Sequence, residues 1–281
     1  MMAGIDIRNL DLAYDSRQVI ADLSADLADN AITALVGPNG CGKSTLLRGI
    51  ARLVTPKAGA VMLDGADIAR LPGKALARRL GLLSQSPTAP EGLVVGDLVA
   101  RGRYPHQTWL SQWSRSDEEA VDRALKLAGA DDLRDRFVDE LSGGQRQRVW
   151  IAMALAQETD TLLLDEPTTF LDISYQLEVM ELLLRLHEER QRTVVVVLHD
   201  LNQACRYAHR LVALKDGRIV AHGPPADIVD EDLVRDVFGI ECRILSDPTA
   251  GTPLVVPVGR RSAVPGRVRP QESVPVKKGP L

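Results

Sequence analysis

No apolar run in this chain approaches the roughly 20 residues needed to span a bilayer, and the N-terminus lacks the basic-then-apolar pattern of a secretory leader. A membrane-embedded or exported protein is therefore not expected, and the chain is expected to stay in the cytoplasm. Cysteine is scarce as well: Cys41, Cys205 and Cys242 are odd in number, widely spaced and without C-x-x-C pairing. That speaks against a disulfide framework and a zinc site, and reduced thiols suit the same compartment. Positive charge is not in excess either. A formal net charge of −4 argues against a general nucleic-acid binder, so any membrane contact is expected to come through a protein partner. What is present is ample apolar and charged material, 45% hydrophobic and 26% charged over 281 residues, enough to bury a full core in one large domain or two unequal ones.

One stretch organises the rest. Gly37-Pro38-Asn39-Gly40-Cys41-Gly42-Lys43-Ser44-Thr45 follows an apolar run at 31–36 and opens an amphipathic one at 45–53, which reads as strand, glycine loop, helix. The spacing fits G-x-x-x-x-G-K-[ST], in which glycines let backbone N–H groups close around phosphate oxygens and a helix N-terminus adds its positive dipole end. Lys43 is expected to reach the β- and γ-phosphates, Ser44 to offer a hydroxyl to Mg²⁺, and Thr45 to begin the helix. The alternative, a glycine-rich turn between core elements, does not call for Lys-Ser at that place. Cys41 lies in the loop near Lys43 and a helix N-terminus. Both features lower a thiol's pKa and favour alkylation, against the plainer reading of an inert small residue.

Around this loop the chain alternates. Residues 5–14 and 19–27 read as an antiparallel hairpin, 61–63 and 80–83 as further strands, the latter ending at Ser84-Gln85. From 86 to 139 helical signals replace β ones: a helix at 95–101, and another at 116–128 with Ser116 and Glu119 as its capping box. Leu141-Ser142-Gly143-Gly144-Gln145 opens a helix at 146–157. Its hydroxyl, exposed amides and helix start make a second anion site, or simply a helix cap. A strand at 161–164 runs into Asp165-Glu166, followed by a helix at 174–190, a strand at 193–198 ending at His199-Asp200, and a helix at 201–208. Asp216-Gly217 between 211–214 and 219–221 is a hairpin signal, and 231–238 a last short helix. This predicts an α/β fold: a parallel core sheet with an antiparallel β edge, assembled from 1–85 and 160–259, and a helical insertion at 86–159. From 260 to 281, Arg260, Arg261, Arg267, Arg269, Lys277 and Lys278 lie among prolines without apolar periodicity. That segment is expected to be a disordered basic tail, either solvated or lying on an anionic membrane surface.

Nucleotide hydrolysis needs a metal holder and a water activator beside the phosphate cradle, and Asp165-Glu166 supplies adjacent carboxylates at the end of an apolar strand. Alternation along a strand would aim Asp165 at the metal and leave Glu166, at the turn made by Pro167, to reach an attacking water. His199 follows a run so apolar that it reads as a central strand, and a neutral imidazole there could bond the γ-phosphate. Alone, such a histidine is more often simply a packed or solvated residue. Gln85 alone could cap or face water, and Tyr14 could stack on adenine or merely end a strand.

Taken together, the phosphate loop, Gln85, Leu-Ser-Gly-Gly-Gln at 141–145, the run 162–167, Asp172 and His199 stand in one order, and over residues 5–259 the chain resembles the ATP-binding-cassette ATPases. The resemblance implies a P-loop ATPase fold of that type. It assigns Tyr14 to adenine, Gln85 to sensing Mg²⁺ and a membrane partner, and His199 to the γ-phosphate. Ser142, Gly143, Gly144 and Gln145 become a signature that completes the site of a second copy, and Asp172 a subunit contact. Finer likenesses in 101–106, 168–173 (Phe170 included), 200–208 and 247–254 resemble the ATPase subunits of iron-siderophore importers, especially ferric enterobactin importers, a pattern shared with haem and cobalamin importers. The implied protein uses ATP and Mg²⁺. It sits as a homodimer on the cytoplasmic face of a membrane under separate permease subunits, serves a substrate-binding protein indirectly, and touches no nucleic acid. A soluble, non-transport cassette ATPase is the alternative of another class.

Overall fold

The structure is a computed structural model that describes residues 4–85, 87–108, 113–169 and 171–259. The basic segment 260–281 and Phe170 lie outside the described residues. In chain order, β1 (Gly4–Tyr14) and β2 (Arg17–Ala28) form a hairpin, and β3 (Ile32–Val36) leads into α1 (Lys43–Ile50). There follow β4 (Ala58–Leu63), β5 (Ala66–Asp67), α2 (Gly73–Ala77), β6 (Leu80–Leu83), α3 (Val95–Ala100), α4 (Arg115–Leu127) and α5 (Gly143–Ala156). The chain continues through β7 (Thr161–Asp165), α6 (Ile173–Arg190), β8 (Thr193–Val197) and α7 (Leu201–Tyr207). It closes with β9 (Arg210–Lys215), β10 (Arg218–Gly223), α8 (Pro225–Ile228), α9 (Glu231–Phe238), β11 (Cys242–Ser246) and β12 (Pro253–Pro257). No helix among these residues is long and apolar enough to cross a membrane.

The six-stranded sheet runs β10-β9-β3-β8-β7-β6. Its inner pairings, β9 with β3, β3 with β8, β8 with β7 and β7 with β6, are all parallel, and β10 closes one edge antiparallel to β9. A four-stranded sheet, β2-β1-β4-β5, supplies the other antiparallel part. Strands β3, β7 and β8 are buried along their whole length, which explains their predominantly apolar sequences: both faces are covered. The pleat divides them between two cores. Ile32, Ala34, Val36, Leu162, Leu164, Val194 and Val196 face the core shared with the long helices. Leu35, Leu163, Val195 and Val197 face the one shared with α1 and the four-stranded sheet. The α/β class, the parallel core and the helical insertion thus follow the expectation.

Local details differ in several places: β4 starts three residues before 61, and β5, α2 and α8 were not expected. Helix α1 begins at Lys43, two residues before Thr45, and α5 begins at Gly143, so that the glycines of 141–145 lie in its first turn rather than ahead of it. The hairpin of β11 and β12 was not expected, its strands being short and proline-bounded. The capping box of α4 is built from Ser114 and Asp117, not Ser116 and Glu119. Both pairs have the right spacing, and a buried partner decides between them. Asp117 also receives a 2.9 Å bond from Arg103 Nε, and Arg103 in turn bonds Ala156 O and Glu158, so the cap is part of a buried network joining α4 to α5. Burial pushes the Asp117 carboxyl up, but the bonds from Ser114 and Arg103 outweigh it and hold it below the ordinary carboxylate range.

Replacing Ser114 by Ala should therefore cost about 1 kcal/mol of stability, whereas Ser116→Ala should cost a small fraction of that. Denaturant unfolding of both variants checks the assignment, and a larger loss for Ser116→Ala would overturn it.

Candidate functional site

The loop 37–42 leaves β3 and turns back on itself. Gly37 has φ 147°, and a Cβ there would lie 2.2 Å from the Leu214 carbonyl oxygen, so only glycine fits. Gly42, at φ 110°, occupies the N-cap of α1, where no side chain caps the helix. The first N–H groups of α1 consequently leave a helix start without a capping side chain among the described residues, the arrangement that binds anions. Lys43 is 5% exposed. Its Nζ donates to the carbonyl oxygens of Gly37 at 2.9 Å and Pro38 at 3.0 Å, which pins the ammonium across the loop. Asn39, Gly40, Ser44 and Thr45 line the adjoining cavity of about 480 Å³, with Val19 of β2 on one side.

Across that cavity stand three further strand ends. Asp165 closes β7 and is buried. Its Oδ1 accepts a 2.7 Å bond from Ser44 Oγ, while Oδ2 is buried without a hydrogen-bond partner, the Arg48 guanidinium being 3.9 Å away. Burial raises the carboxyl's pKa, partly offset by the Ser44 bond and the Arg48 charge. A carboxylate oxygen left free beside a hydroxyl is a donor set that suits a small hard cation, which would take its other oxygens from water and phosphate.

Glu166 is not in the strand. It takes a left-handed conformation, φ 54°, so its direction is set by this turn and not by the pleat alternation expected from sequence. The turn brings its carboxylate, itself nearly buried, among donors from three elements: Oε2 accepts from Gln85 Nε2 at 2.6 Å and from Thr169 Oγ1 at 3.1 Å, and Oε1 lies 2.7 Å from His199 Nε2. Since a carboxylate accepts, Nε2 carries the proton. Gln85, Glu166, Thr169 and His199 all line the same cavity as Lys43 and Ser44.

Other residues singled out in the sequence stand apart from it. Ser142 caps α5 reciprocally with Gln145: Ser142 Oγ accepts from Gln145 N at 3.3 Å, and Gln145 Oε1 accepts from Ser142 N at 3.0 Å. Ser142 and Gly143 are exposed, and Gly144 lies in the same first turn, close against the Tyr175 ring. The cap reading is thus seen directly, and Ser142 and Gly143 at its start are open to solvent. Gln147, one turn on, donates to Pro167 O at 2.8 Å and ties α5 to the Glu166 turn. Asp172 is exposed and caps α6, accepting from Tyr175 N at 3.1 Å and Ser174 Oγ at 2.8 Å, bonds that hold its carboxyl below the usual range. Tyr14 ends β1, half exposed, across from Arg17 on the strand that carries Val19. Thr169 and Val19 were missed as lining residues. Thr169 lies in the stretch 168–173, but nothing in sequence indicates that its hydroxyl meets Glu166.

At Cys41 the structure favours the second of the two readings the sequence left open, an inert small residue. Its thiol is buried in the core beneath the loop, 5% exposed, and desolvation raises its pKa despite the opposing charge of Lys43.

The profile of the family described as ABC transporter matches residues 20–169. The chain is 55% identical over 259 residues to the probable siderophore transport system ATP-binding protein YusV of Bacillus subtilis, covering 92% of this chain and 94% of the relative. It is also 55% identical over 251 residues to the ferric enterobactin transport ATP-binding protein FepC of Escherichia coli, covering 89% and 93%. Among solved structures it resembles an inward-facing metal-chelate type ABC transporter described as putative, with a TM-score of 0.80 and 28% identity over 92% of this chain and 99% of that one.

The burial of Cys41 yields a direct expectation. Ellman's reagent should titrate none of the three free, buried thiols promptly in the native protein and all of them in guanidinium. Prompt native reaction of one thiol that disappears in Cys41→Ala would contradict the buried assignment.

Proposed function

The chain belongs to the ABC transporter family, and from that premise we propose that it is the ATP-hydrolysing subunit of an importer that carries ferric siderophores through separate membrane permease subunits. The observation that carries the reading is the 55% identity to siderophore ATP-binding proteins across almost the whole chain. A cobalamin importer ATPase from Halobacterium salinarum is more distant, at 37% identity, so a siderophore is favoured over cobalamin as cargo.

In this reading the phosphates of ATP lie in the 480 Å³ cavity, wrapped by the backbone of 37–42 and the start of α1, and its adenine extends beyond the cavity to stack on Tyr14. Lys43 exchanges its loop carbonyls for β- and γ-phosphate oxygens. Ser44 Oγ and Asp165 would hold Mg²⁺, with Gln85 beside them; a bound magnesium ion neutralises charge on the phosphate oxygens. Glu166, desolvated and oriented by Gln85 and Thr169, acts as the base that polarises the attacking water. His199 swings its Nε2–H from Glu166 to the γ-phosphate. Gln85 touches the base and also begins the connection to the helical segment 86–159, so loss of the γ-phosphate can be relayed to that segment as a movement relative to the 1–85 and 160–259 core.

Because Ser142 to Gln145 are off the cavity and open outward, we assign them to the γ-phosphate of a second copy, with Asp172 at the contact between copies. The permease is assigned to the groove of about 610 Å³ lined by Asp97, Ala100, Arg101, Tyr104, Gln107 and Trp113. Its exposed aromatics, Tyr104 and Trp113, suit a short amphipathic segment of a membrane protein. The subunit would then be held peripherally on the cytoplasmic face.

A strain lacking the gene and supplied with a single ferric siderophore as its iron source should grow when the wild-type gene is returned, and not with Glu166→Gln. The purified variant should bind ATP and dimerise in its presence while turnover falls by a factor of about 10²–10⁴. Wild-type turnover in the variant would remove Glu166 as the base, and growth of the unrescued strain on every siderophore offered would remove the cargo assignment.

A further inference from the structure

His199 sits in the middle of the three-residue connection 198–200 between β8 and α7. Its upstream side is fixed: Leu198 N bonds Leu35 O at 3.2 Å, extending the register of a central strand. Its own ring is 42% exposed and so is not held by packing. Where the imidazole stands therefore depends on how α7 leaves the connection. That helix has only seven residues, too few to hold a direction by itself.

Two side chains of its first turn fix it on opposite flanks. The Asn202 carboxamide donates from Nδ2 to Val255 O at 3.1 Å and accepts at Oδ1 from Val255 N at 2.7 Å. It bonds the β12 backbone on both its N–H and its C=O, as the peptide group of a neighbouring strand would. Val255 is itself 6% exposed and part of the main core, so the β11–β12 hairpin is a firm anchor. On the other flank Gln203 Nε2 donates to Gln176 Oε1 at 2.7 Å, and Gln176 Nε2 donates to Leu171 O at 2.9 Å, in the segment between Glu166 and Asp172. Asp200 joins both by accepting from the backbone N–H of Asn202 and of Gln203.

We infer that Asn202 is a positioning residue for His199: its double bond to Val255 makes the C-terminal hairpin the support that aims the imidazole at the cavity. This rests on the reading of the chain as an ATPase with His199 at the γ-phosphate. It gives the hairpin, otherwise remote from the site, a part in turnover. Removing the amide leaves the buried Ala204 and Cys205, the Gln203 bond and the Arg206–Asp247 pair to hold the body of α7, but frees its first turn from β12, and the His199 ring should drift from its 2.7 Å partner Glu166.

The test compares Asn202→Ala and Asn202→Asp with wild type. The aspartate keeps the acceptor for Val255 N–H but sets an oxygen against Val255 O, so the second variant remains informative should the first not fold. Steady-state ATPase assays should show kcat reduced roughly tenfold with KM for ATP little changed, the signature of a misplaced catalytic group. The chain has five histidines. Their ring-proton resonances should be recorded at one fixed pH, with that of His199 identified by its loss in His199→Gln. The His199 signal should move and the other four stay. Unchanged kcat, an unmoved His199 signal, or displacement of all five histidines together would each overturn the proposal, since a merely structural Asn202 would lower Tm without singling out His199. An inactive wild-type protein would instead count against the ATPase reading, while the resonance comparison would still decide whether Asn202 positions the ring.

Discussion

Parallel pairing of β3, β8, β7 and β6 is the constraint on which everything else in this molecule depends. Parallel neighbours end at the same edge of a sheet, and here each of these strands is followed at that edge by a polar group: the phosphate loop after β3, His199 after β8, Asp165 and Glu166 at and after β7, Gln85 after β6. Residues separated by 81 and 121 positions meet as hydrogen-bond partners, Gln85 with Glu166 and Ser44 with Asp165. What holds the register is the burial of both faces of β3, β7 and β8. A one-residue slip would exchange the sets facing the two cores.

This edge carries a concentrated cost. An unsatisfied buried polar atom such as Asp165 Oδ2 costs on the order of 1–3 kcal/mol, and a non-glycine residue held at positive φ, as Glu166 is, about the same again. Both fall on the adjacent carboxylates to which metal binding and water activation are assigned. The surrounding core offsets them, and a bound cation would satisfy the first. The signature cap at Ser142 is by contrast fully satisfied within its own helix, as suits a surface offered to another chain.

Much of this was legible from residues alone, because the informative features are local. Apolar runs leading to Gly37, Gln85, Asp165 and His199 mark buried parallel strands and the polar groups at their ends, and the glycine spacing of 37–42 marks the loop at the start of α1. Features decided by tertiary neighbours were not legible. Cys41 reads equally as an activated thiol or an inert small residue from its place in the loop, and only its packing beneath the loop favours the second. Ser114 and Ser116 offer equivalent capping patterns until Arg103 selects Asp117. The direction of Glu166 comes from a left-handed turn that no periodicity encodes, and the β11–β12 hairpin has strands too short and proline-bounded to signal themselves. Thr169 joins the site only because the turn after Glu166 folds back onto it.

The central claim is that one chain carries two halves of different sites: a cavity with Lys43, and an outward cap at Ser142 for a second copy. Mixing Lys43→Ala and Ser142→Arg chains tests it most directly. Each variant alone places its defect in both sites and should be inactive. A mixed dimer with shared sites pairs the altered loop of one chain with the altered signature of the other, which leaves one site intact. ATP turnover, or nucleotide trapping where turnover requires both sites, should then rise above that of either parent. Verified mixed dimers with neither turnover nor trapping above the parents would show that each chain completes its own site, and would contradict the account.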